Sequence, residues 1–155
     1  MPELTFRDAT LADIPIMLTL SHAGDARGAD TPPLDPATFT DPRTLAAFAA
    51  ITADPAHRLI VAERNGEVVG TLQITTIPGL PNFGMKRGLL ENVHIRADQR
   101  GSGLGSVMVQ WAIDRCREAG CGNVQLTSNK LRLDAHRFYR KLGFESSHEG
   151  FKLKL

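Results

Sequence analysis

The stretch that most limits how this chain can fold is Arg100-Gly101-Ser102-Gly103-Leu104-Gly105. Alternating glycines are unfavourable inside a regular element, each by up to ~1 kcal/mol relative to alanine in a helix, so they belong at a turn. A short β-type run, Val93-His94-Ile95, precedes them and a helical pattern follows. In that pattern Leu104, Met108, Trp111, Ala112, Cys116 and Ala119 recur at helical spacing, while Ser106, Gln110, Asp114 and Arg117 fall on the other side. Gly120 supplies a stop. The unit is strand, glycine-rich turn, helix. The first N–H groups of such a helix have no intrahelical partner and carry the positive end of its dipole. Glycines let another group come close, so the turn reads as a cradle for an anion, a phosphate above all.

Spacing removes two familiar phosphate ligands. The dinucleotide fingerprint G-x-G-x-x-G needs glycine at position 106, which is Ser106, and no acid follows at the expected distance on a second parallel strand. A triphosphate loop, G-x-x-x-x-G-K-[ST], needs a lysine that this turn lacks. What remains is Arg100-x-x-Gly103-x-Gly105, followed later by Ala135-His136-Arg137-Phe138-Tyr139-Arg140-Lys141-Leu142-Gly143-Phe144. In these two motifs, in this order, the chain resembles the GNAT superfamily of acyl-CoA-dependent N-acyltransferases. The signature of that family is [QR]-x-x-G-x-[GA] after a strand, then a second helix ending in -FY-x-x-x-GF. The resemblance covers the chain from about residue 4 onward. It implies one α/β (α+β) domain over residues 1–155, with a central mixed, mostly antiparallel sheet of six to seven strands flanked by four helices.

At 155 residues the chain is one domain, long enough to bury roughly two thirds of its unfolded surface. A formal charge of +1 gives no basis for a nucleic-acid or membrane partner. Cys116 and Cys121 have neither a C-x-x-C spacing nor a second pair, so they read as reduced structural thiols. MPELTFRDAT has no basic region followed by an apolar core, and no apolar run nears ~18 residues, which points to a cytoplasmic protein.

Along the chain, Leu4-Thr5-Phe6-Arg7 alternates like a strand. Thr10 with Asp13 marks a helix entry, and Ile14, Met17 and Leu18 give its apolar face. Residues 21–42 are rich in Gly, Pro and Asp and read as a long loop, either functional or merely irregular. Thr44 to Ala53 is a second helix, ended before Pro55. The β-rich runs His57–Glu63 and Glu67–Ile74 flank Arg64-Asn65-Gly66, a strong hairpin signal. Leu89–Ile95 is the strand before the cradle and Asn123–Thr127 the strand after its helix. Leu133–Leu142 is the last helix, and Phe151–Leu155 alternates as a strand with one covered face would.

Acyl transfer from a thioester to an amine requires that the donor be held, the amine lose a proton and the departing thiolate be stabilised. The resemblance implies acetyl-CoA as co-substrate. Val93, His94 and Ile95 then pair with the pantetheine arm, and Arg100, Gly101, Ser102, Gly103, Leu104, Gly105 and Ser106 hold the pyrophosphate. The alternative is a helix start with flexible glycines and no ligand. Tyr139, the only tyrosine, occupies the family position of the general acid. A phenol pKa near ~10 against ~8.5 for a thiol suits it to protonate a forming thiolate. The competing account is an aromatic packed beside Phe138 and Phe144.

Glu91 is the candidate base; simple alternation puts it on one strand face with Val93 and Ile95, and His94 on the other. A solvated carboxylate, or one paired with Arg87 or Arg96, fits Glu91 equally well. Asn129 by resemblance bonds the pantetheine arm where two strands part, and otherwise caps the segment that follows. Lys141 or Arg137 reaches the ribose phosphate, or simply belongs to a solvated basic face. His22, His57 and His148 have no ligand spacing, so no metal is expected. A non-catalytic acyl-CoA-binding sensor or interaction module on the same fold is the rival reading, opposed by an intact Tyr139 and cradle. The acceptor, a primary amine of a small molecule or peptide, is left open. In the family it is shaped by regions that here are 21–42 and 76–88, with Asp25, Asp30, Asp35 and Asp41 against Arg27, Lys86 and Arg87. Homodimers are common among relatives, but no distinct sequence mark for one stands out.

Overall fold

A computed structural model describes residues 3–25 and 31–155. Arg27 and Asp30, two of the charges assigned to the acceptor region, lie outside the described residues. One sheet carries five strands, β1 Thr5–Asp8, β2 His57–Arg64, β3 Glu67–Ile77, β4 Lys86–Ile95 and β5 Cys121–Gln125, in that spatial order. The first four are antiparallel; β5 runs parallel to β4. The helices are α1 Ile14–Asp25, α2 Pro42–Ala53, α3 Leu104–Glu118 and α4 Leu133–Lys141, with a single helical turn at Pro81–Gly84 and three short 3-10 segments.

Local chemistry explains the main joints. Asn65 and Gly66 take φ of 55° and 76°, the double positive φ that a two-residue hairpin with right-twisted strands requires. Asp41 caps α2 by accepting from the Arg43 N–H at 2.8 Å. At the entry to α1 the Asp13 carboxylate accepts from the Thr10 N–H at 2.7 Å and from both Arg7 Nη atoms at 2.7 and 3.0 Å. Arg7 reaches on to Glu63 at 2.9 Å, which ties β1, β2 and α1 together.

The core is the face of the sheet under α3. Ile60, Ala62, Val69, Leu72, Ile74 and Leu90 pack against Leu104, Met108, Val109, Ala112 and Cys116. Gly88 is the point of closest approach: a Cβ there would lie 2.5 Å from Cys116 Sγ. Burial above all pushes the Cys116 thiol up to about 11, and both cysteines are free. Trp111 sits at the margin, half-buried, stacked on Phe6 at 4.7 Å with the Arg115 guanidinium 5.0 Å from its ring.

Two expectations need correction. Residues 21–42 are not one loop: α1 continues to Asp25, and Pro36–Thr40 forms a 3-10 turn capped by Asp35. The sheet has five strands rather than six to seven, because Phe151–Leu155 takes no strand. A strand exists only through the ladder it shares, and no backbone hydrogen bond joins residues 145–155 to another described residue. Among the described residues no helix is long and apolar enough to cross a membrane.

Candidate active site

The site begins where two neighbouring strands separate. β4 and β5 pair from Lys86↔Cys121 to Leu89↔Gln125 and no further, while β4 continues to Ile95 on β3. Beyond Leu89 the β5-facing edge of β4 is therefore free to pair with something else. Val93, His94 and Ile95 lie on this free stretch, as the assignment of the pantetheine arm requires.

β4 then leads into the glycine turn. Gly101 and Gly103 take φ of 78° and 81°, and a Cβ at either would meet nothing within 4 Å. Open space thus lies over a backbone that only glycine adopts easily. Gly103 caps α3, whose first bond runs from the Val107 N–H to the Gly103 carbonyl at 3.2 Å. The N–H groups of Leu104, Gly105 and Ser106 precede that bond and are the unpartnered donors of a helix start. Ser102 Oγ donates to the Gln99 carbonyl at 2.6 Å, fixing the turn from behind. Arg100 is exposed beside it. Open room over free donors fits a diphosphate. Gly105 serves packing instead. A Cβ there would stand 3.4 Å from the Phe138 ring, so α4 lies against the start of α3.

That contact sets α4, which carries Tyr139, beside the start of α3. The Tyr139 ring meets Phe138 and Phe144 edge-on at centroid distances of 5.1 and 5.7 Å. Burial holds the phenol above its ordinary range, opposed by the charge of Arg132. The hydroxyl has no hydrogen-bond partner among the described residues.

The faces of β4 differ from the expected alternation. Gln73 pairs with Glu91 and Thr71 with His94, so Leu72 alone faces both Asn92 and Val93. This is a β-bulge, with Asn92 at φ 50°. Directly opposed residues share a face, and so do residues two apart on β3. Glu91 therefore lies with His94, while Val93 and Ile95 turn toward α3 and pack on the core. The expectation that Glu91 shares a face with Val93 and Ile95, with His94 opposite, is overturned by one extra residue.

His94 is buried, its ring against Gly24 of α1. Burial chiefly lowers its pKa, with Asp25 opposing and Arg132 and Arg100 adding. The imidazole is neutral at pH 7. Glu91 is exposed, and neither Arg87 nor Arg96 pairs with it; Arg96 holds Asp98 and Glu67 instead. The charge of Arg132 bears on both His94 and Tyr139. The basic run of its segment reads in the sequence as a solvated face or a contact for the ribose phosphate, and gives no sign of this effect of Arg132 on two side chains.

Asn129 Oδ1 accepts from the Leu131 N–H at 2.9 Å, closing a turn ahead of α4 whose N-cap is Arg132. The oxygen is thus engaged in a turn rather than as the helix cap of the alternative reading, and the side-chain amide is left over. Lys141 and Arg137 are exposed on α4, the helix whose Phe138 lies against the start of α3. Among the described residues no group of three or more His, Cys, Asp or Glu is placed to hold a metal ion.

The chain is similar to known proteins along most of its length. The acetyltransferase (GNAT) family model matches residues 27–144. An aminoalkylphosphonate N-acetyltransferase from Salmonella typhimurium is 36% identical over 104 residues, 67% of each protein. An L-methionine sulfoximine/L-methionine sulfone acetyltransferase from Pseudomonas paraeruginosa is 30% identical over 144 residues, 92% of this chain and 81% of that protein. The crystal structure of a transcriptional regulator from Bacillus halodurans C-125 matches with a TM-score of 0.84 at 39% identity, covering 99% of this chain and all of that one. The chain belongs to the GNAT family of acetyltransferases and is an N-acetyltransferase acting on an amine.

Proposed function

We propose that this enzyme moves the acetyl group of acetyl-CoA to the primary amine of a small molecule or peptide by direct attack in a ternary complex. The observation that carries the reading is the parting of β4 from β5 after Leu89, directly before the open N-terminus of α3. A free strand edge suits an amide-bearing arm, and the turn suits the diphosphate at its end. Acetyl-CoA, when bound there, supplies a thioester carbon open to an amine and a sulfur able to leave.

Within that frame the residues divide the work. The N–H groups of Gly103, Leu104, Gly105 and Ser106 hold the diphosphate, with Gly101, Ser102 and Arg100 shaping the turn. Val93, His94 and Ile95 offer backbone to the arm, and Asn129 its amide N–H. Lys141 or Arg137 meets the ribose phosphate. Glu91 takes the ammonium proton directly or through one water. Tyr139 gives its phenolic proton to the departing sulfur; its raised pKa keeps that proton in place throughout the neutral range. Neither cysteine lines the cleft: Cys116 is buried under the sheet, so the acyl group has no thiol to pause on.

Aminoalkylphosphonates and methionine sulfoximine, the acceptors that name two relatives, are small polar amines and the first compounds to try. The test is thiol release from acetyl-CoA across a panel of amines, amino-acid analogues and peptides. Amine-dependent release by the natural protein and its loss in Tyr139→Phe support the reading. Tight acetyl-CoA binding with no release for any amine favours the non-catalytic sensor instead.

A further inference from the structure

Up to the bulge at Asn92, β4 alternates its side chains between the two faces of the sheet. Gly88 and Leu90 face α3: a Cβ on Gly88 would meet Cys116, and Leu90 joins the core. Arg87, Leu89 and Glu91 therefore point to the other face, opposite Ile77, Thr75 and Gln73 of β3. Two helices lie over that face. α1 packs on β4 and β3, with Gly24 against His94, and α2 packs on β2. Glu91 is nonetheless exposed, and Arg87, Leu89 and Gln73 are half-buried, so the helices leave this part of the sheet open.

Arg87 is the unusual member of the group. Its Nε is buried with no hydrogen-bond partner. Arg64 and Arg115 share that feature, but Arg64 Nη1 donates to Gln99 at 3.2 Å and Arg115 Nη2 pairs with Glu118 at 2.6 Å. Arg87 has no carboxylate in ion-pair contact among the described residues. A permanent charge partly withdrawn from water is costly when unpaired. The fork of guanidinium donors matches the oxygens of a carboxylate, phosphonate or phosphate. The partner that fits is an anion carried by a ligand.

We infer that Arg87 binds an anionic group of the acceptor, so that the substrates of this enzyme are primary amines that also carry a carboxylate, phosphonate or phosphate. Glu91 stands on the same face four residues further on, about 13 Å away at Cα. With the amine at Glu91 and the anion at Arg87, the acceptor lies along β4 with its charged groups at opposite ends, several bonds apart. Opposite signs at the two ends also fix its direction, since the reversed molecule would set like charges together at both. The amine end rests on the acetyl-transfer reading; the anion site is a matter of binding and can be measured apart from it.

Calorimetric titration with ω-amino carboxylates and ω-amino phosphonates of rising chain length, each against the alkylamine of the same length and with coenzyme A present, tests it. The natural protein is expected to bind the best anionic amine about ten- to a hundredfold more tightly than the matching alkylamine. Arg87→Gln should erase that preference and Arg87→Lys should keep part of it. Neither should lower the melting temperature, because Arg87 Nε has no internal partner to lose. Should Arg87→Gln fail to fold, the natural chain and Arg87→Lys carry the comparison. Thiol release from acetyl-CoA with the same compounds separates the two readings. Preferential binding of the anionic amines without release from any of them fails the transfer reading and leaves the anion site standing. No preference in the natural protein, or a preference that survives in Arg87→Gln, overturns the anion site and leaves acetyl transfer untouched. A lowered melting temperature with the preference intact would make Arg87 a structural residue and overturn it too.

Discussion

Glu91 and His94 lie on the same face of β4, because Asn92 at φ 50° places two residues opposite Leu72. One wall of the cleft thus carries an exposed carboxylate and, toward α1, a buried neutral imidazole. Glu91 is solvent-accessible, whereas the His94 ring is packed against Gly24.

Glu91→Gln is therefore expected to lower kcat/KM by about 10²–10⁴-fold, the usual loss of a general base, with little change in acetyl-CoA affinity. His94→Gln is expected to act mainly on stability. The pH–rate profile checks the division: if His94→Gln removes the acidic limb and Glu91→Gln leaves it intact, the two roles exchange.

Tyr139→Phe keeps both edge-on ring contacts and removes only the hydroxyl. A fall in kcat of about 10²–10⁴-fold at neutral pH is expected, with the melting temperature nearly unchanged. Since burial raises the phenol pKa, the hydroxyl remains a donor throughout the neutral range, and no loss of rate in that range should trace to its deprotonation. Unchanged kcat at every pH would remove Tyr139 from the reaction.

Gly103→Ala and Gly105→Ala separate the two uses of glycine in the turn. At Gly103, φ 81°, alanine is strained by roughly 1–2 kcal/mol, and its methyl enters the open space proposed for the diphosphate. Both stability to urea and coenzyme A affinity should fall. At Gly105 the new methyl meets the Phe138 ring at ordinary contact distance, 3.4 Å, so the change in stability should stay within about 1 kcal/mol.

The Asp13 carboxylate is held below its usual range by the hydrogen bonds from Arg7. A lowered folded-state pKa gives stability that is complete above the unfolded value, near ~3.9, and lost as pH falls through the folded one. Urea unfolding between pH 7 and 3 should show this loss, and Asp13→Asn should flatten it. Asp13→Ala should cost about 1–3 kcal/mol at pH 7, since it leaves the Thr10 N–H and Arg7 without their acceptor. An acid slope that is identical in Asp13→Asn would rule out this origin.

Gly24→Ala puts a methyl on α1 against the buried His94 ring. Overpacking of about 1–3 kcal/mol is expected, and most of it should vanish when His94 is also alanine. A double-mutant cycle on the melting transition measures that coupling; additive losses would show that the two residues do not press on each other.

The sequence showed the frame of this site better than its inner surface. Asn65-Gly66, Gly103 and the apolar spacing of α3 act through local backbone preference, so their turn, cap and core face are legible one residue at a time. The orientation of Glu91 is not of that kind. It depends on the count of residues between two ladder pairs, and one bulge at Asn92 reverses every face beyond it. Asparagine tolerates positive φ, but nothing else in Glu91-Asn92-Val93 marks the position. The alternation of Phe151–Leu155 predicts a strand that does not form, because a period of two says nothing of a ladder partner and the segment has none among the described residues. Trp111 satisfies the helical period of the core yet lies at its margin, because Phe6 and Arg115 take up its ring.

The most direct measurement of the central claim is a crystal structure of the protein with coenzyme A. Diphosphate oxygens are expected about 2.7–3.2 Å from the N–H groups of Gly103 to Ser106, with the pantetheine arm paired with β4 at Val93–Ile95 and the sulfur beside the Tyr139 hydroxyl. A cofactor seated elsewhere, or diphosphate held by side chains alone with those amides bare, would contradict it.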